Sequence, residues 1–484
     1  MLEEIVIITS LLFTLPVLAS SYYSMILLVS SFRYPRTDQG RREPAEFPVV
    51  SILIAAYNEK FVIAKTLDAL MALEYPTTSL QVIVADDSTD ETGGIIDQRV
   101  GQLRETGVEA VVSRRSSRNG FKSGALNEAA RLIKGEYVLL LDADSIVTPE
   151  VLSRGLATFE DHPGLAFVSF RVGHYNREQS IITRLFALSL DLGDTLNKMG
   201  AYSINSPFSF QGGFTLISTE TLRDVGYWSS ESIVDDADLS CKVYASGRKG
   251  IYLSNVRIFG EDPQTLASWK RQAARVSQGW AKCISSHWRT ILQTPHMSRW
   301  RRIALLLFLL TPFASLSWIV VSFLSAIAVV MHISTVSGSI FSNPCYIVLV
   351  SLPVSSYFIS AAYSLRIQNI MTGKNLFLIP LLSYTGYCML TASSVGFVSG
   401  LMGKPGFFFR TPKTGNNPVH TENDYFQSSK FDRTSLVEVI LSVTSLVTSI
   451  LMILDGVWLL ALTLLGFGLL TLKSMNLSHL LTRA

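Results

Sequence analysis

Charge is scarce in this chain: Asp, Glu, Lys and Arg together make up 16% of its 484 residues, against about a quarter in ordinary soluble proteins. With 48% hydrophobic residues and a positive mean hydropathy, the composition points to a membrane protein carrying one sizeable soluble domain. Cysteine is equally sparse. Cys241, Cys283, Cys345 and Cys388 stand far apart with no paired spacing, which argues against a disulfide framework or a zinc site and for isolated buried thiols. The net charge of +3 is too small for a nucleic-acid surface, so no nucleic-acid partner is expected. No internal repeat or low-complexity tract is evident.

What the chain has instead is long apolar runs. Residues 5–32 can cross a bilayer once, with tilt or a kink at Pro16, but not twice, since each crossing takes about 20 residues. The run lacks a small-residue cleavage site and reads as a signal-anchor helix. Arg33, Arg36, Arg41 and Arg42 follow it directly, placing that end in the cytosol and Glu3 and Glu4 outside. Five further apolar segments lie at 303–331, 345–364, 376–400, 435–454 and 457–473. Charge disagrees with counting all five as crossings. The connection with Arg366 and Lys374 and the one with Lys404, Arg410, Lys413, Lys430 and Arg433 are both basic and therefore cytosolic, whereas 332–344 and Asp455–Gly456 lack Lys and Arg. These signs agree if 376–400, rich in Gly, Ser, Thr and Tyr and containing Pro380, enters the membrane or lies at its surface without crossing. The expectation is a multi-pass protein of the cell membrane with five crossings, N-terminus out and C-terminus in.

Between the anchor and the later spans, residues 48–260 alternate short β-rich runs with helical stretches: Val49 to Ala55, Gln81 to Ala85, Glu109 to Val112, Tyr137 to Leu141 and Leu165 to Phe170. That alternation predicts an α/β domain with a mainly parallel sheet, whose ligands bind at the carboxyl ends of the strands. Residues 265–292 follow, with Trp269, Ala273, Val276, Trp280, Ile284, Trp288 and Ile291 on one helical stripe and Lys270, Arg271, Arg275, Gln278 and Lys282 on other faces. Such a helix lies under lipid headgroups or on a solvated surface. Arg299, Arg301 and Arg302 mark the cytosolic entry to the next span.

Polar residues gather at the predicted strand ends. Tyr57-Asn58-Glu59 follows the first strand and Asp86-Asp87-Ser88-Thr89-Asp90 the second; carboxylates there can accept hydrogen bonds from a nucleobase or ribose, or simply serve as turn residues. The wholly apolar Tyr137 to Leu141 ends in Asp142-Ala143-Asp144. Strand alternation points these two carboxylates the same way, as a hard divalent cation that also ligates a diphosphate requires.

In this order the motifs resemble glycosyltransferase family 2, in the membrane-integrated branch that includes cellulose, hyaluronan, chitin and mannan synthases, over about residues 48 to 415. The resemblance implies a GT-A-type nucleotide-diphospho-sugar transferase domain inserted between transmembrane helices. It implies nucleotide contacts from Tyr57, Glu59, Asp86, Asp87 and Asp142, with Lys122 of Asn119-Gly120-Phe121-Lys122-Ser123-Gly124 near the diphosphate. Asp142 and Asp144 match the metal-binding Asp-x-Asp, implying Mg2+ or Mn2+. Phe210-Gln211-Gly212-Gly213 resembles the segment shaping the acceptor pocket, and Val234-Asp235-Asp236 stands where the family commonly has Thr-Glu-Asp. That implies Asp236 as catalytic base, because direct displacement at an anomeric carbon needs the attacking hydroxyl deprotonated, with Asp235 on the acceptor side.

Two departures stand out. Gln272-Ala273-Ala274-Arg275-Val276 keeps the Gln and Arg of Gln-x-x-Arg-Trp, implied to hold the diphosphate, but has Val276 for the Trp that packs on the acceptor sugar; Trp280, one turn on, can offer a stacking surface. Phe408-Phe409-Arg410-Thr411-Pro412-Lys413 resembles the branch's gating loop with Arg410 at its Val position, implying Lys413 at the diphosphate. The expected organisation is an anchor (1–32), a cytosolic transferase domain (33–262), interfacial helices with the Gln-x-x-Arg motif (263–302), and a transmembrane region (303–484) containing the non-crossing 376–400 and a gating-like loop 401–434. Expected partners are a nucleotide-sugar donor, UDP-linked in preference to GDP-linked, a glycan or lipid acceptor, and membrane lipid. Three functional readings stand side by side: a processive polysaccharide synthase that exports its product, transfer of one sugar to a lipid, and a non-catalytic membrane scaffold.

Overall fold

The structure, a computed structural model, describes residues 2–35, 43–230, 232–330, 344–404, 411, 413–415, 433–454, 465 and 468–469. Arg36, Arg41 and Arg42, the connections at 332–343 and 455–456, Phe408–Arg410 with most of the gating-like loop, and nearly all of 457–473 lie outside those residues.

An eight-stranded sheet forms the centre, in the order β3-β2-β1-β4-β7-β6-β8-β5. The strands are β1 (Val50–Ala56), β2 (Leu80–Asp86), β3 (Glu109–Arg114), β4 (Tyr137–Asp142), β5 (Ile146–Val147), β6 (Phe167–His174), β7 (Thr215–Ser218) and β8 (Gly250–Gly260). β3, β2, β1 and β4 are parallel throughout. Beyond β4 the sheet is mixed, because β7 runs antiparallel to both β4 and β6 while β8 is parallel to β6. Sequence reading finds β1 to β4 and β6 within a few residues and misses β5, β7 and β8. Thr215–Ser218 is only four residues long, too short to show a period.

β1, β2 and β4 are apolar at nearly every position because both faces are covered. Ile52 and Ile54 pack in one core with the helices Ile63–Leu70, Thr92–Glu105 and Val151–Asp161. Leu53 points the other way, into a core shared with Phe121–Ala129, Asp235–Ala245, the N-terminal helix and Arg299–Leu309. Each such Ile or Leu contributes roughly 1.5–3 kcal/mol on burial. The register places Ala55 opposite Asp142 and Ala56 opposite Asp86, so the chain leaves β1, β2 and β4 at one edge.

The apolar helices pack directly on this domain. Ile182, Leu185, Phe186 and Leu188 of the helix Ile181–Gly193 share a core with Trp269, Ala361, Leu365, Leu378 and Leu382. Ser180 and Thr183 close that helix's N-terminus with a capping box. Its buried Asp191 takes both Arg177 and Gln368, the residue following the helix Pro344–Ile367.

The helix Leu266–Gln293 is continuous and capped by Thr265. It does not lie open under headgroups along its whole stripe. Trp269 is buried edge-on against Phe186 at 5.2 Å between ring centroids, and Trp280 packs on Phe308 at 4.7 Å; Trp288 remains exposed. On another face it meets the helix Leu378–Leu401 at Gly396 and Gly400. A Cβ at Gly396 would stand 2.1 Å from Ala274 O, and one at Gly400 2.5 Å from Gln278 O. Among the described residues, two helices have the length and composition of a membrane span, Glu4–Ser31 and Gly373–Leu401, and Arg299–Leu309 with Thr311–Leu324 forms a third such pair bent by 55°. The segment expected to enter without crossing is thus part of a helix with span-like length and composition.

Candidate active site

A cavity of about 560 Å³ opens at the carboxyl edge of β1, β2 and β4, walled on its far side by the helix Leu266–Gln293. That size lies within the range of small-molecule sites. Of the residues singled out from sequence, Tyr57, Glu59, Asp87, Lys122, Asp142, Asp144, Gln211, Gly212, Asp235, Asp236, Gln272, Arg275, Trp280 and Lys413 all line it. Asp86 and Phe210 do not. Asp86 is buried, where Arg114 Nε donates to its Oδ2 at 2.8 Å and Ser88 N to its Oδ1 at 3.0 Å, so it braces the loop that carries Asp87. Phe210 is a core side chain stacked edge-on to Phe167 at 4.7 Å.

Several charged groups in the cavity are paired with groups of opposite sign. Lys122, in the first turn of Phe121–Ala129, reaches Asp142 Oδ1 at 2.8 Å and Asp235 Oδ2 at 3.2 Å. Burial alone would raise the Asp142 carboxyl, yet Lys122 holds it below its ordinary value. Burial likewise works against the charge on Lys122, and Asp142 and Asp235 more than restore it, raising its pKa. Burial lowers the Arg275 pKa, and the negative charges of Asp235, Asp236 and Asp142 oppose that fall without cancelling it. Gly213 packs so closely that a Cβ there would stand 2.6 Å from Asp142 Oδ2, which only glycine accommodates.

Asp236 lies in the first turn of Asp235–Ala245. Its Oδ1 accepts from Ala237 N at 2.7 Å and its Oδ2 from Gly212 N at 3.3 Å, so it steadies the helix start and also ties that start to the Gln211–Gly212 segment. Burial first, and the neighbouring Asp235 carboxylate second, push its pKa up to about 6. A carboxyl titrating just below neutrality is suited to act as a general base.

Asp144 lies in a turn beyond the end of β4, so strand alternation is not what aims it. Its Oδ2 accepts from Glu261 N at 2.8 Å and from Lys413 Nζ at 2.6 Å, and Lys413 also donates to Glu261 O at 2.6 Å. Among the described residues no three metal-ligating side chains gather. Two carboxylates nevertheless fit a hard cation that completes its shell with phosphate oxygens and water, and the Lys413 ammonium resting on Asp144 and Glu261 O marks an oxygen-lined cation position. Gln272 lines the cavity with a buried Oε1 that has no partner among the described residues. Such a group is costly unless a ligand satisfies it.

Sequence reasoning missed several lining residues. The Arg118 guanidinium stacks on the Tyr57 ring at 3.3 Å, and Asp87 is gripped by Arg115 at 2.6 and 2.8 Å. The basic cluster Arg114-Arg115 and Arg118 was the available signal. Glu261 accepts from Tyr175 OH at 2.6 Å and Thr414 N at 2.9 Å, a role its sequence position after β8 does not announce. Asp194, Asn197 and Lys198 also face the cavity.

Residues 137–354 match the family described as glycosyl transferase family group 2. The chain is 28% identical over 273 residues to glucomannan 4-beta-mannosyltransferase 2 of Arabidopsis thaliana, covering 56% of this chain and 51% of that protein. It is 29% identical over 264 residues to glucomannan 4-beta-mannosyltransferase 1 of Oryza sativa subsp. japonica, covering 53% and 50%. The chain thus spans about half the length of the curated relatives it matches. In three dimensions it resembles the mannosyltransferase PcManGT from Pyrobaculum calidifontis, solved with GDP-Man and Mn2+, at a TM-score of 0.54 and 20% identity over 84% of this chain and 100% of that one. The sheet is that of the GT-A fold, and the part of the chain from β4 onward is similar to glycosyl transferase family group 2.

Proposed function

We propose that the chain is an inverting hexosyltransferase that moves a sugar from a nucleotide diphosphate sugar to a growing glycan at the cytosolic face of the cell membrane, and that its membrane helices carry the product across. The observation that carries this reading is the pairing of two opposed sets of groups on one cavity: Asp142 and Asp144 with Lys122, Arg275 and Lys413 for a diphosphate, and Asp236 with a raised pKa for the acceptor hydroxyl. The names of the relatives favour mannose as the sugar.

In the proposed reaction the stacked pair of Tyr57 and Arg118 faces the nucleobase from one side, and Glu59 and Asp87 face the nucleoside. Lys122 and Arg275 bind the diphosphate with charge-assisted hydrogen bonds, and the unused Gln272 Oε1 accepts from a hydroxyl of the donor. Asp142 and Asp144 are placed to hold Mg2+ or Mn2+, which when bound neutralises charge building on the leaving diphosphate. Asp236 takes the proton of the acceptor hydroxyl as that oxygen bonds to the anomeric carbon and the bond to the diphosphate breaks. Lys413 releases Asp144 and pairs with the diphosphate when donor enters. Trp280, on the cavity wall, offers a sugar-stacking face in place of the aromatic absent at Val276.

Val276 favours a second reading, transfer of a single sugar to a lipid. Incubating the purified full chain with radiolabelled GDP-mannose and UDP-hexoses separates the outcomes. Labelled polymer supports the first reading and labelled lipid the second; no label transferred from any donor refutes both.

A further inference from the structure

The residues assigned so far account for the donor side of the cavity, the base and a stacking face at Trp280, and leave one wall unused. We propose that the turn Asp194–Gly200, together with Gln211, is the subsite for the acceptor sugar, and that it recognises an uncharged pyranose; this rests on the transferase reading above and specifies its acceptor. The helix Ile181–Gly193 passes here into a π-helical turn, Asp194–Gly200. Such turns are rare and frequently stand at functional sites. This one brings Asp194, Asn197 and Lys198 to the cavity lining.

Counting donors and acceptors shows what the wall offers. Asp194 is engaged on both oxygens: its Oδ1 faces Lys198 Nζ at 2.8 Å, and its Oδ2 accepts from Tyr252 OH at 3.0 Å and Val172 N at 3.3 Å. Lys198 gives one N–H to Asp194 and a second to Gln211 Oε1 at 3.1 Å, and an ammonium has three. Gln211, its oxygen engaged, lines the cavity with an NH2 group that has no acceptor among the described residues. The Asn197 amide has no hydrogen-bond partner among the described residues. Three side chains therefore present unused hydrogen-bonding capacity to one wall, with Trp280 and Phe308 as a neighbouring apolar surface. Ring hydroxyls over an apolar sugar face match that surface.

Position and charge narrow the class. Gln211 precedes Gly212, whose N–H holds Asp236, so a sugar bound here lies beside the base. Lys198 and Asp194 are a matched ion pair, so the wall has no spare positive charge to offset a carboxylated sugar. A buried ion pair is weak evidence for a purely stabilising role, and this one fixes the orientation of Gln211.

The test is isothermal titration of mannotetraose, and separately of tetragalacturonate, into the detergent-solubilised full chain and its Asn197→Ala and Lys198→Met variants. The wild type should bind mannotetraose at least tenfold more tightly than tetragalacturonate, and each variant should lose about tenfold in mannotetraose affinity, the cost of one hydrogen bond in such a site. If Lys198→Met leaves Asp194 unpaired and does not accumulate, Asn197→Ala reads the same contact without touching the ion pair. Unchanged affinity in Asn197→Ala, equal binding of the two oligosaccharides, or no binding by the wild type overturns the proposal. The expected binding pattern in a protein that transfers no labelled sugar would refute the transferase reading and leave the subsite standing.

Discussion

Replacing Asp236 with Asn separates catalysis from folding in a way few substitutions can. The carboxyl is raised from 3.8 to about 6 by burial and by Asp235. At neutral pH the native state therefore carries an unfavourable charge worth on the order of 3 kcal/mol. The sign is fixed by direction: an acid whose pKa rises on folding destabilises the native state once it ionises, so Asn should leave the melting temperature unchanged or raise it. One amide oxygen can still accept from Ala237 N. Catalysis should suffer severely, because the amide cannot take the acceptor proton. A positioned base contributes about 10²–10⁴ in rate, so a loss near 10³ in kcat, about 4 kcal/mol of barrier, is expected. The assay is release of nucleoside diphosphate together with transfer of labelled sugar, followed from pH 4.5 to 8. Wild-type kcat/KM should climb with pH and level off above about 6, while the residual Asp236→Asn rate should lack that step. A folded Asp236→Asn protein that turns over within tenfold of the wild type, or keeps the step near 6, would refute the assignment of the base.

Further expectations rest on single contacts. Arg118→Ala removes the guanidinium 3.3 Å above Tyr57, a stack worth roughly 1 kcal/mol; donor KM should rise about fivefold with kcat little changed, and steady-state kinetics over donor concentration reads both. Gly396→Leu forces a side chain toward Ala274 O, only 2.1 Å from where its Cβ would lie. Overpacking of this kind costs about 1–3 kcal/mol or more, and loss of the monodisperse peak in fluorescence-detected size-exclusion chromatography is the expected result.

Much of the fold is legible in the sequence because two-sided burial writes itself as apolar runs. β1, β2 and β4 are covered on both faces and read without ambiguity; β7 and β8 complete the sheet through pairings that only the folded chain defines. The strand-tip site was legible for the same reason, since Asp87 and Asp142 end runs whose direction is plain. Asp86 was misjudged because two adjacent carboxylates on one turn face opposite ways, one to Arg114 and one to the cavity. Phe210 was misjudged because the residue next to it, Gln211, carries the polar function while its own ring fills the core. Asn197 and Lys198 left no trace, because a π-helical turn has no residue pattern that distinguishes it from the helix it continues. The helix Leu266–Gln293 was placed at a surface by its Trp stripe, and the structure gives two of those rings to protein neighbours, Phe186 and Phe308.

The account depends on the diphosphate of a sugar donor resting between the carboxylates at the strand tips and the basic groups facing them. A cryo-electron microscopy map of the full chain with GDP-mannose and Mn2+ tests this most directly. Diphosphate density within hydrogen-bond distance of Lys122 and Arg275, with a metal peak on Asp142 and Asp144, is the predicted result. Nucleotide density elsewhere, with Lys413 still seated on Asp144, would contradict it.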